Sequence, residues 1–192
     1  MIHHDVRGSC ALYYQYDIHA LHGVSKYHSR KFLSQSFLIA YARFLFLKMA
    51  VTSNQSITDT GGTSRSVTSS IGSWLMEASA GTSTSGLVVG TGTNAVTLND
   101  TALQTQIAHG TGSGQLSYGG SVVELPSSDA TSTTLILTRV FSNSSGGSIT
   151  VQELGAYAYQ STWEFCIVRD VQTIIIADGE QLTLNYILKT TI

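Results

Sequence analysis

The feature that most constrains the fold is a series of short apolar, β-branched runs after residue 86, separated by turn-forming residues. Residues 133–141 form one such run, and turn formers follow at 143–147. Near the end of the chain, Leu182, Leu184, Tyr186 and Leu188 alternate with more polar residues, which is typical of a strand with one buried face. The spacing predicts an all-β fold, an antiparallel β-sandwich or jelly roll of about eight strands.

Some local elements can also be predicted within this region. A β-hairpin is expected to join residues 133–141 to 149–159, and two further strands are expected at 163–171 and 173–177. Leu103 and Ile107 are four residues apart, which favours one or two helical turns over 101–108.

The surface is expected to be rich in hydroxyl groups and poor in charge. Charged residues make up 11% of the chain, against about 25% in ordinary soluble domains, whereas there are 26 Ser and 23 Thr. A net charge of −2 gives no electrostatic support for nucleic-acid binding. Such a surface suits lasting contacts between proteins. The two cysteines, Cys10 and Cys166, form no disulfide framework, which favours synthesis in the cytoplasm.

Amino-acid usage changes abruptly near Met49. Residues 1–48 contain no threonine and five of the six histidines, whereas 16 of the 18 glycines lie in the remainder. These changes predict three parts, namely an atypical N-terminal segment at 1–48, a Ser/Thr/Gly-rich arm at 49–86 and a β-sandwich domain at 87–192.

Residues 1–48 allow two interpretations. A signal peptide does not fit, because the apolar run around 37–47 comes late in the segment. A membrane-spanning helix does not fit either, because Arg43 and three polar residues interrupt 16 residues. The segment is therefore either a short amphipathic helix over 31–48 that docks on a partner or a membrane surface, or a mis-assigned start that precedes a true start at Met49.

The arm contains one apolar patch, formed by Trp74, Leu75 and Met76. A disordered linker is one interpretation of the arm. The alternative is an arm that becomes ordered on a neighbouring subunit, which the tryptophan favours because an exposed indole in a free linker would have nothing to bury it. The three residues are therefore candidates for partner binding.

The sequence predicts no catalytic residue, no cofactor and no metal site. The glycine-rich stretches at 90–92 and 110–114 lack the Lys-Ser/Thr of a phosphate loop and are expected to be turns. His109 could be grouped with Ser113 or Ser117 and Asp100, but no nucleophile signature surrounds either serine. Cys166 lies in an apolar run and is expected to be an inert thiol. His19 and His22 are too few for a defined metal site.

Several segments together resemble a family of virion proteins from tailed bacteriophages. The resemblance covers roughly residues 81–192 and is carried by the stretches 87–96, 138–143, 146–151, 153–157, 165–171 and 178–186, together with Asp100, Leu103 and Ile107. It implies a structural role in the virion, as a capsid decoration protein, a head fibre, or a tail or baseplate fibre. It also implies oligomers, with a trimer favoured.

The leading hypothesis is therefore a non-enzymatic virion protein that assembles with itself and with other virion proteins, with no nucleic-acid or membrane partner. A tail-fibre or baseplate protein is one alternative, and a module that binds a host-surface glycan or receptor is another. For glycan binding, Tyr157, Tyr159 and Trp163 cluster around one turn and are the candidate residues. A hydrolase is a further alternative that no motif supports.

Overall fold

The structure is a computed structural model and describes residues 9–20, 28–34, 37–50, 54–68 and 74–192. Most of the regular structure is β-strand, as expected. The described residues contain one helix, α1 (Ile39–Met49). The strands are β1 (Ser9–Ala20), β2 (His28–Leu33), β3 (Asn54–Thr58), β4 (Ser64–Thr68), β5 (Gly86–Gly90), β6 (Ser117–Val123), β7 (Ser127–Ser128), β8 (Ser132–Ser142), β9 (Ile149–Gln160), β10 (Trp163–Ile176) and β11 (Glu180–Thr191).

The strands form two main antiparallel sheets, which confirms the predicted all-β class. The larger sheet has the order β2-β1-β11-β8-β6, with the short β7 also paired to β8. The smaller sheet has the order β10-β9-β5, and β3 and β4 form a separate hairpin. The jelly-roll connection order stays a prediction.

The predicted alternation in β11 is confirmed, and it supplies part of the core between the sheets. Leu182 and Leu184 are fully buried, and Tyr186 is nearly so. They pack with the aromatic and aliphatic side chains of β1 and β8, such as Tyr14 and Phe141. Burying a side chain of this size stabilises a fold by about 1.5–3 kcal/mol, so these residues contribute substantially to the packing energy.

The smaller sheet is covered on both of its faces. Along β9, Leu154, Ala156 and Ala158 lie on one side, and Glu153 and Tyr157 lie on the other. The irregular segment 91–109 covers the second side. The backbone of this segment donates hydrogen bonds to the Glu153 carboxylate, and Leu103 N donates to the Tyr157 hydroxyl at 2.7 Å. Double coverage explains why β5, β9 and β10 contain continuous runs of buried residues.

Chain segments outside the strands cover three sheet edges. Residues 37–38 bond to β10 through Leu38 N and Ile167 O at 2.9 Å. Residues 105–107 line β5, and residues 78–81 line β6. Among the described residues, the outer edge of β2 has no paired strand. Covered edges do not offer free backbone groups to other chains.

The hairpin predicted for 133–141 and 149–159 is wrong. β8 belongs to the larger sheet and β9 to the smaller one, so the turn between them carries the chain across the core. Asn143 explains the crossing. Its buried side-chain amide donates to Gly147 O and to Ile176 O, both at 2.8 Å, and the second bond ties the turn to the end of β10.

The helical turns predicted over 101–108 are also absent, although Leu103 and Ile107 are buried as expected. The backbone N–H groups of Gln104 and Thr105 donate to the Glu153 carboxylate instead of to helical carbonyls. The two strands expected at 163–171 and 173–177 form one strand, β10, with register shifts after Cys166 and Val171.

The described part of the N-terminal segment contains two strands and a helix, whereas the sequence predicted either a short helix over 31–48 or a mis-assigned start. β1 pairs with β11 over its whole length, from Ser9 opposite Thr191 to Ala20 opposite Glu180. The expected helix over 31–48 is shorter, because residues 28–33 form β2. Strands from both sides of the expected boundary at residue 49 therefore share one sheet.

The described part of the arm packs on its own chain. Residues 54–68 form the β3–β4 hairpin, and Thr60 N donates to Glu164 O at 2.9 Å. Leu75 forms a two-way backbone bridge with Tyr159, with both N···O distances at 2.8 Å. The described residues of the arm therefore include a hairpin and a bridge to β9, neither of which the sequence predicted.

Candidate interaction surfaces and a buried polar network

A buried ionic network joins β9, β10 and the segment 91–109. Arg169 donates from Nε and Nη2 to Glu153 Oε1 at 2.9 and 2.6 Å, and from Nη1 to Asp100 Oδ2 at 2.7 Å. The other oxygen of Glu153 accepts from Gly92 N at 2.9 Å and Thr105 N at 3.0 Å. The network fixes the irregular segment over the smaller sheet.

The electrostatics of this network favour the charged forms. Burial alone would raise the pKa of Glu153, but hydrogen bonds from Thr105, Gln104 and Arg169 outweigh burial and lower it below the ordinary value. The pKa of Asp100 is lowered by the same balance, with Thr97 and Arg169 as its donors. Each carboxylate is held ionised by several donors, an arrangement that suits a structural role better than proton transfer.

A second buried cation, Arg139, lies between the two sheets, and within the described part of the chain it forms no ion pair with a carboxylate. Its guanidinium donates to backbone carbonyls at Thr82, Ser85, Leu87 and Gly119, and it lies 4.8 Å from the ring centroid of Tyr118. Desolvation lowers the pKa of Arg139 to about 10. The carbonyls and the ring replace water around the charge, so Arg139 anchors the loop before β5.

The neighbouring residues Arg169 and Asp170 point to opposite faces of β10, as adjacent residues of a strand do. Arg169 faces the segment 91–109, whereas Asp170 faces the larger sheet. Asp170 Oδ2 accepts from Tyr186 Oη at 2.8 Å and from Ser34 Oγ at 2.7 Å. These bonds cross the core and join the two sheets.

The catalytic candidates considered above are not arranged together as a catalytic site in the structure. His109 Nδ1 accepts a hydrogen bond from Tyr118 N at 3.1 Å, and Ser117 Oγ donates to Gly110 O at 3.3 Å. Cys166 is fully buried, and burial raises the pKa of its thiol. In the described ranges, no three His, Cys, Asp or Glu side chains are grouped as metal ligands would be.

The predicted partner-binding residues of the arm lie in different environments. The Trp74 ring is half-buried and stacks on Phe44, with centroids 5.1 Å apart. Met76 is also half-buried, whereas Leu75 is 48% exposed. Leu75 is therefore the member of this set most available to a partner.

The three aromatic candidates for glycan binding also separate. Tyr157 is buried and belongs to the core, so its side chain is not available at the surface, which corrects that expectation. Tyr159 is 36% exposed, and Trp163 is partly exposed with the Arg65 guanidinium 5.1 Å from its ring centroid. Tyr159 and Trp163 both flank the short turn between β9 and β10.

An exposed apolar stripe on α1, which we call the outer face of α1, is formed by Ala42, Leu45, Phe46 and Met49. Leu45, Phe46 and Met49 are 42%, 46% and 78% exposed. The opposite side of the helix packs inward through Ala40, Phe44 and Leu47. A helix that is apolar on nearly all sides is normally buried, so the stripe is a candidate interface.

One interpretation of the sequence was a partner-docking helix over 31–48, but the residues of this stripe were not predicted, although a signal for them was present. The only charged residues in 39–49 are Arg43 and Lys48. A helix over this segment therefore cannot bury one apolar face and expose a polar face on the other side. In the described parts of the chain, no helix is both long and apolar enough to span a membrane.

Comparison with protein-family models gave no match, and neither did comparison with curated proteins or with solved structures.

Proposed function

We propose that the chain is a non-enzymatic structural protein of a phage virion, a capsid decoration protein or head fibre that assembles through protein–protein contacts. The observation that carries the assembly part of the proposal is the outer face of α1, where Leu45, Phe46 and Met49 are exposed together. The virion part rests on the resemblance of residues 81–192 to phage structural proteins.

The chemistry of the interior also supports a structural role. The Glu153–Arg169–Asp100 network and the Arg139 cluster bond mainly to backbone groups of their own chain. Their charges are therefore used to hold irregular segments in place. The chain is expected to form a homo-oligomer, with a trimer favoured, because closed symmetry lets one patch be used repeatedly.

Light scattering on the full chain tests assembly. We expect the wild type to show a multiple of the 20.5 kDa chain mass at micromolar concentration. Phe46→Glu should shift it to the single-chain mass, since a carboxylate would be buried in an apolar contact. The matched control is Leu125→Glu, which changes another exposed leucine, 92% exposed and outside α1, and should leave the mass unchanged.

A wild-type chain that stays monomeric would contradict the proposed assembly. An oligomer that persists in Phe46→Glu would show that the outer face of α1 is not the contact. Mass spectrometry of purified phage particles tests the location, and absence of the chain from them would contradict a virion role.

Two alternatives remain as proposals. A tail-fibre or baseplate protein would use the same contacts elsewhere on the particle. A host-glycan-binding module is favoured by the exposed aromatic side chains of Tyr159 and Trp163 beside one turn. Binding on a glycan array that Tyr159→Ala abolishes would support this second alternative.

A further inference from the structure

An apolar cavity of about 140 Å³ lies between the two sheets, at the end of the sandwich where β8 begins and β11 ends. The larger sheet contributes Val123, Leu137 and Leu188 to its wall. Protein interiors are normally packed with few voids larger than a water molecule, so a cavity of this size requires an explanation.

Two features of the smaller sheet create the space. Ala156 faces the larger sheet from β9, where a longer side chain would fill the gap. The register shift after Cys166 places two consecutive residues of β10, Ile167 and Val168, on the cavity wall. A short side chain and a β-bulge in the smaller sheet therefore open a volume between two sheets that are otherwise closely packed.

Aromatic rings close the outer side of the cavity. Phe37, Tyr41 and Trp74 line it, and all three are half-buried. The Phe37 and Tyr41 rings stack with centroids 3.9 Å apart, and Tyr41 lies 5.7 Å from Trp74. Rings are flat apolar surfaces, and their partial exposure gives a small molecule a route of entry.

From this geometry we propose that the cavity is a binding site for a small apolar molecule, about the size of one aromatic ring or a short alkyl chain. A dry apolar cavity of roughly 150 Å³ is large enough for benzene. The walls are hydrocarbon and aromatic, apart from the hydroxyls of Tyr41 and Tyr186, and the Tyr186 hydroxyl donates to Asp170. A charged or strongly polar ligand would find no partners there.

Toluene titration followed by methyl NMR of the full chain tests the site. We expect saturable shifts of the Val123 and Leu137 methyl groups, and no shifts with glycerol, a polar molecule of similar size. Val123→Phe should fill the cavity and weaken toluene binding by roughly tenfold or more. The matched control is Val122→Phe on the same strand, because Val122 is 52% exposed and lies on the other face.

Each outcome decides the proposal. The absence of saturable toluene binding to the wild type would overturn it, and so would equal weakening by Val122→Phe. If Val123→Phe does not fold, the smaller change Ala156→Val narrows the same cavity, and unchanged affinity in that variant would overturn the proposal. The assay does not depend on assembly, so its failure is distinct from failure of the proposed function.

Discussion

At the level of single residues, the Glu153 carboxylate is surrounded by N–H donors. Three come from the backbone of Gly92, Gln104 and Thr105, and two come from the Arg169 guanidinium. A carboxylate accepts on both oxygens, whereas a glutamine amide would point an NH₂ group at donors. The site therefore requires a carboxylate.

Glu153→Gln is expected to lower the free energy of unfolding by about 3–5 kcal/mol, because it leaves the buried Arg169 without its closest anion. It should also weaken the acid dependence of stability. Since the folded pKa of Glu153 is lowered, its contribution is present above the ordinary value of 4.5 and is lost as the pH falls below that value. Urea unfolding from neutral to acid pH measures both effects.

The control for this prediction is Glu77→Gln, which makes the same change on an exposed residue and should leave stability within about 0.5 kcal/mol of the wild type. If the two variants unfold at the same urea concentration, the network does not hold the segment 91–109 as described.

Part of this network was predictable from local sequence. The opposite orientation of Arg169 and Asp170 follows from strand geometry alone, and the structure confirms it. The partners of Glu153 were not predictable, because Gly92 lies 61 positions away and meets it through the packing of an irregular segment. A contact between residues so far apart in the sequence leaves no periodic pattern of apolar and polar residues from which it could be predicted.

At the level of elements, the turn between β8 and β9 decides which sheet each strand joins. Asn143 bonds within the turn to Gly147 and across to Ile176 at the end of β10. The backbone of Asn143 also forms hydrogen bonds with Gly179 and Glu180. Asn143 therefore connects the β8–β9 turn to the β10–β11 turn. The side chain acts as the link between the sheets at this end.

Asn143→Ala is expected to destabilise the chain by about 2 kcal/mol, because the buried carbonyl of Ile176 loses its donor. Asn143→Asp should be at least as harmful, since a carboxylate cannot donate to that carbonyl. Thermal unfolding compared with Asn99→Ala, an exposed asparagine in another turn, measures the effect. Equal melting temperatures would show that the crossing does not depend on this side chain.

Strand periodicity predicted some elements and missed others for physical reasons. The alternation in β11 was visible because one face of the strand is buried. Leu12, Tyr14, Tyr16 and Ile18 show the same alternation in β1. This strand was not predicted, because the unusual composition of residues 1–48 indicated a separate segment. The hairpin prediction was wrong because strands that follow one another in sequence usually pair. The residues of a polar turn do not show whether the two strands that it connects belong to the same sheet.

At the level of the whole molecule, the chain carries little charge, and its candidate contact surface is apolar. We therefore expect the oligomer to be insensitive to salt. Light scattering should give the same mass at about 0.1 M and about 1 M sodium chloride, although the screening length falls from about 10 Å to about 3 Å. Salt does not weaken apolar contacts, so dissociation at the higher concentration would instead point to ion pairs between subunits.

The position of β11 has a consequence for how the chain is made. β11 is the last described strand to leave the ribosome, yet it lies between β1 and β8 and pairs with both along its length. β1 pairs with β2 early in the sequence, but it must wait until β11 has been translated before its other edge is paired. Folding of the larger sheet should consequently be slow, with the tyrosine-rich face of β1 dependent on protection from aggregation until β11 emerges from the ribosome.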